Sequence, residues 1–315
     1  MKAAIVERYG TPEQARVTDL PIPAIGPREV LVRVKAVAVT SGDARMRSGR
    51  FPRGFGIPAR LAIGVRGPRR KVLGSAFSGV IEQVGAEVAG FAPGDEVAGM
   101  NGARMGAHAQ HAAILPRAMA LKPASVNHAD AAGVLFGGTT AIHFLRDRVA
   151  SGSRVLVNGA SGAVGTSAVQ LAALFGAEVT AVTSSRNRDL VTRLGASRVI
   201  DYSASPVNRL DETFDLVFDT VGNIDRTTGL GLAGDRGTVI LAAADLADTV
   251  RAGGRVLAGS AAERSDDVAH LLRLLEEGRV DPVTEALGGL GAIAEAYRRI
   301  DSGRKVGNLV VQPWA

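Results

Sequence analysis

The sequence predicts an α/β protein in two parts, a barrel-like β domain followed by a doubly wound parallel sheet. Three observations predict it. Residues 1–121 alternate short apolar runs with proline and glycine punctuation. From residue 122 onward, strand-like runs recur between helical patterns, the alternation that builds a parallel sheet. One of those runs passes through a glycine-rich turn into a helix and then a second strand, a context that lifts a glycine motif above chance.

Taken in order, residues 2–6 and 29–39 read as strands, separated by Pro21, Pro23, Gly26 and Pro27. A basic window follows, with Arg45, Arg47, Arg50, Arg53, Arg66, Arg69, Arg70 and Lys71, expected to be a solvated loop. Strand-like stretches 73–85 and 91–97 come next, with Pro93-Gly94-Asp95 marking a tight turn. Residues 130–150 are helical in composition but interrupted by Gly137-Gly138-Thr139-Thr140. Residues 154–158 form a buried strand that enters Gly159-Ala160-Ser161-Gly162-Ala163-Val164-Gly165, with a helix over 166–175 and a strand over 178–182. Further strands are expected at 198–202, 214–219, 237–241 and 254–258. Residues 266–278 predict an amphipathic helix burying Val268, Leu271, Leu272 and Leu275, and the tail reads as a helix (293–300) and a strand (307–311).

The turn from Gly159 to Gly165 has a physical reason for its glycines. Backbone must fold tightly, approach a pyrophosphate and let the helix sit against the strand. Amides at the helix start then hold phosphates, aided by the helix dipole. The second strand indicates which dinucleotide. A site for NAD ends it with an acid about 20 residues beyond the glycines. Here it ends in Thr183-Ser184-Ser185-Arg186-Asn187-Arg188, and the first carboxylate is Asp189. Hydroxyls and guanidiniums suit a 2′-phosphate, so the expected cofactor is NADPH. The alternative is a polar loop that opens a helix and leaves the preference open.

Composition sets limits. The 315 residues suffice for two domains, and 46% hydrophobic content with 39 glycines describes a globular chain rich in turns. No apolar run reaches the ~18 residues of a membrane span, and residues 1–6 lack a secretory core, so no membrane partner is expected and a cytoplasmic location is. The absence of cysteine excludes disulfides, thiolate catalysis and cysteine-ligated zinc. A net charge of +6 accompanies only 4% aromatic residues and no nucleic-acid module, so no nucleic-acid partner is expected. His108 and His111 read as surface histidines without a third ligand, and His143 as a half-buried packing residue. The order Ser161, Asp219, His270 imitates a hydrolase triad, but Gly159-Ala-Ser-Gly-Ala163 is not the G-x-S-x-G elbow.

Several short motifs recur in a fixed order: Arg47-Ser-Gly49, the stretch 73–85, Pro93-Gly-Asp95, Gly138-Thr-Thr-Ala141, 158–165, Leu194-Gly-Ala196 with Asp201-Tyr202, Phe218-Asp-Thr-Val-Gly222 and Lys305-Val-Gly-Asn308. Together they resemble a medium-chain dehydrogenase/reductase, in the zinc-free branch that includes quinone oxidoreductase (zeta-crystallin). The resemblance implies a GroES-like substrate domain over 1–121, completed by 263–315, and a Rossmann cofactor domain over 122–262, with nicotinamide and substrate in the cleft between them. Zinc members carry a cysteine near Thr40 to Asp43 and Gly-His-Glu where this chain has Gly74-Ser75-Ala76, so no metal is expected. Without a Lewis acid, the implied acceptor is already electrophilic, a quinone or an α,β-unsaturated carbonyl. Arg45 stands where some quinone reductases have tyrosine, and Thr40 and Asp43 fall where the family lines its pocket; for Asp43 a helix cap is the alternative. The resemblance places the Gly159 to Gly165 turn and Val221 on the cofactor. It puts Ser184, Arg188 and Tyr202 around the 2′-phosphate, and Gly259, Ser260 and Asn308 at the nicotinamide end; for Tyr202 a packing role is the alternative. A homodimer joined through the last strand near Arg255 to Gly259 is implied. The alternative function is a non-catalytic NADPH-binding protein with a structural or RNA-binding role.

Overall fold

A computed structural model of the protein describes residues 1–315. It divides into two compact units, Met1–Arg50 with Ile57–Thr139 and Glu263–Ala315, and Phe51–Gly56 with Thr140–Ala262.

The first unit opens with a ribbon of β1 (Lys2–Val6) and β2 (Ala15–Asp19), paired antiparallel. Next comes β3 (Val30–Val39), whose nearly continuous apolar run fits a strand paired on both edges. Helices α1 (Ser41–Ser48) and α2 (Gly56–Ile63) follow, then strands β4 (Ala76–Val84), β5 (Glu96–Met100), β6 (His111–Ile114) and β7 (Met119–Leu121). Two short helices therefore interrupt the basic window, while Arg50, Arg53, Arg66, Arg69, Arg70 and Lys71 lie exposed in the loops around them, as expected.

Helix α3 (His128–Leu145) runs unbroken through Gly137 to Thr140. The expected interruption does not occur because its small residues serve close packing. A Cβ on Gly133 would lie 2.4 Å from Thr284 Oγ1, and one on Gly138 would lie 2.7 Å from Leu271 Cδ2. That packing carries most of α3 into the first unit, so the division falls between Thr139 and Thr140 instead of near residue 121.

The second unit is a parallel sheet. Strands β8 (Arg154–Asn158), β9 (Glu178–Thr183), β10 (Arg198–Asp201), β11 (Leu216–Asp219), β12 (Thr238–Leu241) and β13 (Val256–Ala258) alternate with α4 (Ala163–Leu174), α5 (Arg188–Arg193), α6 (Arg226–Ala233) and α7 (Leu246–Val250). Their order is β10-β9-β8-β11-β12-β13, all parallel. This is the doubly wound order expected of a dinucleotide-binding sheet. Leu156, Val182, Val217, Val239 and Val256 fill its core, and β13 forms one edge.

The chain then returns to the first unit through α8 (Ser265–Glu276), β14 (Thr284–Ala286), α9 (Ile293–Asp301) and β15 (Asn308–Val311). Helix α8 buries Val268, Leu271, Leu272 and Leu274; Leu275, expected on that face, is only half-buried because the helix turns Leu274 inward. Strand β15 pairs with both β3 and β14, completing the order β14-β15-β3-β4-β5-β7, with β6 also on β3. Val32, Phe77, Ile114, Tyr297 and Leu309 meet in this core. No helix is long and apolar enough to cross a membrane.

Candidate functional site

In the second unit the strand order reverses beside β8: β9 and β10 lie to one side, β11 to β13 to the other. The C-terminal ends of β8 and β11 are therefore the switch point where such sheets take ligands. Asn158 and Asp219 end these strands in register. Asn158 Nδ2 donates to Asp219 Oδ1 at 2.7 Å and to Asn223 Oδ1 at 2.6 Å. Asp219 is fully buried and also accepts from the amides of Val221 (3.0 Å) and Gly222 (2.9 Å). Burial raises its carboxyl pKa against the pull of these donors. Its carboxylate shapes the turn that presents half-exposed Val221.

The glycine turn starts at Gly159, whose φ of +79° and lack of Cβ let Thr220 Oγ1 come within 2.6 Å of where that carbon would be. Gly165 brings α4 against the turn; a Cβ there would lie 2.1 Å from the Gly159 carbonyl oxygen. Gly162 is the N-cap and puts no side chain on the first-turn amides. An added Cβ at Gly162 would meet only the Gly159 oxygen, at 3.4 Å. The amides of Ala163, Val164 and Gly165 thus start a helix with its positive dipole end uncovered by any cap, a seat for a diphosphate. Ala160 is buried beneath the turn.

Ser161 Oγ accepts from Thr183 Oγ1 and from Asn187 Nδ2, each at 2.9 Å, and Asn187 Nδ2 also reaches Ser184 Oγ at 3.3 Å. These bonds lock the glycine turn to the end of β9 and make Ser161 a structural hydroxyl. Ser184 is half-buried, whereas Arg186 and Arg188 are exposed and engaged in no ion pair or hydrogen bond through their guanidiniums. The nearby acid, Asp201, is committed: it accepts from Ser185 N at 3.2 Å and Ser203 N at 2.9 Å, and the Ser203 hydroxyl and amide hold its pKa below the usual value. Tyr202 is 53% exposed, its amide donating to the Thr183 carbonyl, so it presents a ring rather than packing one. Gly259 and Ser260 are exposed just beyond β13. The structure therefore gathers the turn, Ser184, Arg188, Tyr202, Val221, Gly259 and Ser260 at the C-terminal ends of one sheet. Asn308 belongs to the first unit; it is buried and its Nδ2 donates to the Pro282 carbonyl at 2.7 Å.

Asn158, Thr183, Asn187 and Asp219 were not among the expected site residues. For Asn158, Thr183 and Asp219 the signal was the polar residue that ends each apolar strand run; Asn187 lies four residues past β9 and carried no such signal.

In the first unit, Thr40 and Asp43 form a capping box on α1. Asp43 Oδ2 accepts from Thr40 N (2.8 Å) and Oγ1 (2.6 Å), and Oδ1 from Gly74 N (3.0 Å). The carboxylate is fully buried with both oxygens occupied, the cap that was the alternative for Asp43. Thr40 is the N-cap of that box. Arg45 is half-buried, with no acceptor on its guanidinium and its pKa lowered by burial.

Arg47, expected in solvent, is 1% exposed. It donates to both oxygens of Asp301 at 2.7 and 2.6 Å and lies 5.0 Å over the Tyr297 ring. His108 and His111 are likewise buried, not surface residues: His108 Nε2 lies 3.2 Å from the Ala38 carbonyl, and His111 Nε2 3.2 Å from Glu82. No cluster of three His, Asp or Glu side chains is arranged to hold a metal ion.

Residues 26–142 match the family model of the alcohol dehydrogenase GroES-like domain, and 163–277 that of the zinc-binding dehydrogenases. The chain is similar to a quinone oxidoreductase of Pseudomonas aeruginosa, 32% identical over 74% of this chain and 70% of that one. It is similar to the chloroplastic NADPH-dependent alkenal/one oxidoreductase of Arabidopsis thaliana, 28% identical over 99% of this chain and 80% of that one. It also matches the mitochondrial NAD(P)H oxidoreductase RTN4IP1 of Bos taurus, 34% identical over 73% of this chain; that match spans 62% of the bovine protein.

Proposed function

The chain belongs to the quinone-oxidoreductase branch of the medium-chain dehydrogenase/reductase family, and on that premise we propose that it is an NADPH-dependent oxidoreductase reducing quinones or C=C bonds conjugated to a carbonyl. One observation carries the reading. The start of α4 offers three amides with no capping side chain, and beyond β9 stand two unpaired guanidiniums beside Ser184.

When bound, the dihydronicotinamide supplies the hydride. The amides of Ala163, Val164 and Gly165 hold the diphosphate, while Ser184 and Arg188 take the 2′-phosphate with Tyr202 alongside. Thr183 and Asn187 keep Ser161, and with it the turn, in place. Gly259, Ser260 and Asn308 are assigned to the nicotinamide end on the family resemblance. With no cysteine and with Ser75 in place of a histidine, the chain lacks the donors of the family's catalytic zinc, so the acceptor must be electrophilic by itself. Hydride addition to a quinone or enone leaves an oxyanion, and Arg45, half-buried with no acceptor on its guanidinium, is the residue proposed to stabilise it. Support for the two acceptor classes comes from the names of the Pseudomonas and Arabidopsis relatives. A homodimer through the edge strand β13 and a cytoplasmic location belong to the same proposal, tested by light scattering and by fractionation.

The decisive experiment is a fluorescence titration with NADPH and with NADH, followed by turnover of quinones and enones. Tight NADPH binding, weak NADH binding and turnover of either acceptor class uphold the proposal. Binding without turnover removes the substrate assignment and favours a non-catalytic role. Binding of neither nucleotide sinks it altogether.

A further inference from the structure

Helix α2 buries none of its residues. Ile57 is 77% exposed, and Leu61 and Val65 are each 64% exposed. Ile57 and Leu61 are one turn apart on a single face, and Val65 lies just past the helix end. Eight residues with no packed face are too few to hold a helix in water by propensity alone. Tethers hold it: Tyr9 Oη donates to the Gly64 carbonyl at 2.6 Å, and Arg69 donates to the Leu61 carbonyl at 3.1 Å through its side chain and to the Ile63 carbonyl at 2.8 Å through its amide. The apolar side chains are thus held outward without a partner.

Along the chain, the charge on either side of them has one sign. Between Asp43 and Glu82 every charged residue is an arginine or lysine. Beside α2 lies an open concavity of about 550 Å³ lined by Arg8, Tyr9, Arg60, Val65 and Arg66, with the Arg60 guanidinium 5.4 Å over the Tyr9 ring. Arg66 and Arg70 are exposed and make no ion pair; Glu7, next to Arg8 in the chain, pairs with Lys71 at 3.3 Å.

Exposed aliphatic side chains in a stretch whose charges are all arginine or lysine, with Val65 beside Arg60 and Arg66, match an interface that is anionic at its surface and apolar just beneath it. We propose that this face docks on an anionic phospholipid bilayer, with Arg60, Arg66 and Arg70 on headgroup phosphates and Ile57, Leu61 and Val65 in the acyl boundary. Two other occupants fit less well. A second copy would set arginine against arginine. A nucleic acid would gain nothing from three aliphatics, and the local aromatic, Tyr9, is already covered by Arg60. The absence of a spanning helix is compatible with contact in the plane of the surface. This inference does not depend on the nucleotide site.

The test is flotation of the full chain with vesicles of phosphatidylcholine alone and of phosphatidylcholine mixed with phosphatidylglycerol, at low and physiological salt. Binding is expected only to the mixed vesicles and should weaken with salt. Each arginine removed in Arg66→Gln and Arg70→Gln should weaken partitioning roughly five-fold. Ile57→Ser with Leu61→Ser should weaken it roughly ten-fold or more while preserving the salt dependence. All four side chains are exposed, so thermal melts of the variants should match the parent. No binding to mixed vesicles at low salt, equal binding to both lipids, or indifference to both sets of substitutions would each overturn the proposal. So would RNA binding that is lost with the arginines but unchanged in the Ile57/Leu61 variant, because that would assign the face to nucleic acid.

Discussion

Arg47 and Lys305 show how burial sets what a single cation does. Arg47 is enclosed but answered by Asp301, Gly10 and the Tyr297 ring. Arg47→Met should cost about 3 kcal/mol in urea unfolding, at the low end for a broken buried pair because Asp301 keeps 29% of its side chain exposed; a midpoint unchanged from the parent would refute it. Lys305 has no carboxylate, only the Gly307 carbonyl, and burial holds its pKa at about 8 instead of 10.5. The penalty for its charge is fully present below about pH 8. Between there and 10.5 the unfolded chain binds more protons than the folded one, so stability rises with pH across that window. Urea midpoints for Lys305→Met should show a smaller rise than the parent; an identical rise would mean that Lys305 does not cause it. Arg188 is the opposite case, an exposed cation without a partner. Arg188→Glu should raise the NADPH dissociation constant at least ten-fold, from a lost charge-assisted bond worth about 1.5–3 kcal/mol, and leave NADH within two-fold; equal losses for both nucleotides would take Arg188 off the 2′-phosphate. Ser184 and Arg188 stand out in the sequence because their polarity breaks an apolar pattern locally. The sequence could not reveal Arg47, whose burial depends on Asp301 at the far end of the chain, nor the commitment of Asp43 to Gly74.

At the scale of elements, the strand, glycine turn, helix and strand from β8 to β9 were readable because every constraint there acts within a few residues. The turn gives a paired prediction. Gly165→Ala drives a Cβ to 2.1 Å from the Gly159 carbonyl and must displace backbone, whereas Gly162→Ala meets the same oxygen only at 3.4 Å. The first should lower the melting temperature and abolish nucleotide binding together. The second should keep the parent's melting temperature, since φ at Gly162 is −79°, and weaken the binding of NADPH and NADH alike. Equal melting temperatures for the two variants would show that α4 is not held by that close approach. Helix α3 was misread for the complementary reason. Gly137-Gly138-Thr139-Thr140 looks like a breaker locally, but Gly133 and Gly138 answer to Thr284 and Leu271, which belong to elements more than a hundred residues away. Helix α2 was invisible as a helix because it lacks a buried face, the feature on which a periodic pattern depends.

At the scale of the molecule, the chain leaves its first unit, builds a second, and returns. The doubly wound sheet was legible from its alternating strands, but the division inside α3 was not, since it is set by which side chains the helix meets after the chain has come back. The path has a consequence for folding. Strand β15 lies between β14 and β3, and Ile293, Ala296 and Tyr297 of α9 are all but fully buried in the core shared with Val32 and Phe77. A chain ending at residue 139 therefore lacks two strands of its sheet and a wall of its core, and leaves one edge of β3 only partly covered, an aggregation hazard. By contrast, Thr140–Ala262 contains every strand of the parallel sheet and the whole of its own core, missing only the Phe51–Gly56 segment, whose Arg53 carbonyl accepts from the Leu246 amide at the start of α7. Expressed alone, residues 140–262 should unfold cooperatively in urea and bind adenosine 2′,5′-bisphosphate, while residues 1–139 should be insoluble or unfolded until the 263–315 segment is supplied. If the 140–262 fragment were molten, the sheet would depend on the first unit for its stability. If it folded but ignored the bisphosphate, Ser184 and Arg188 would not be a phosphate site, whatever the intact chain binds.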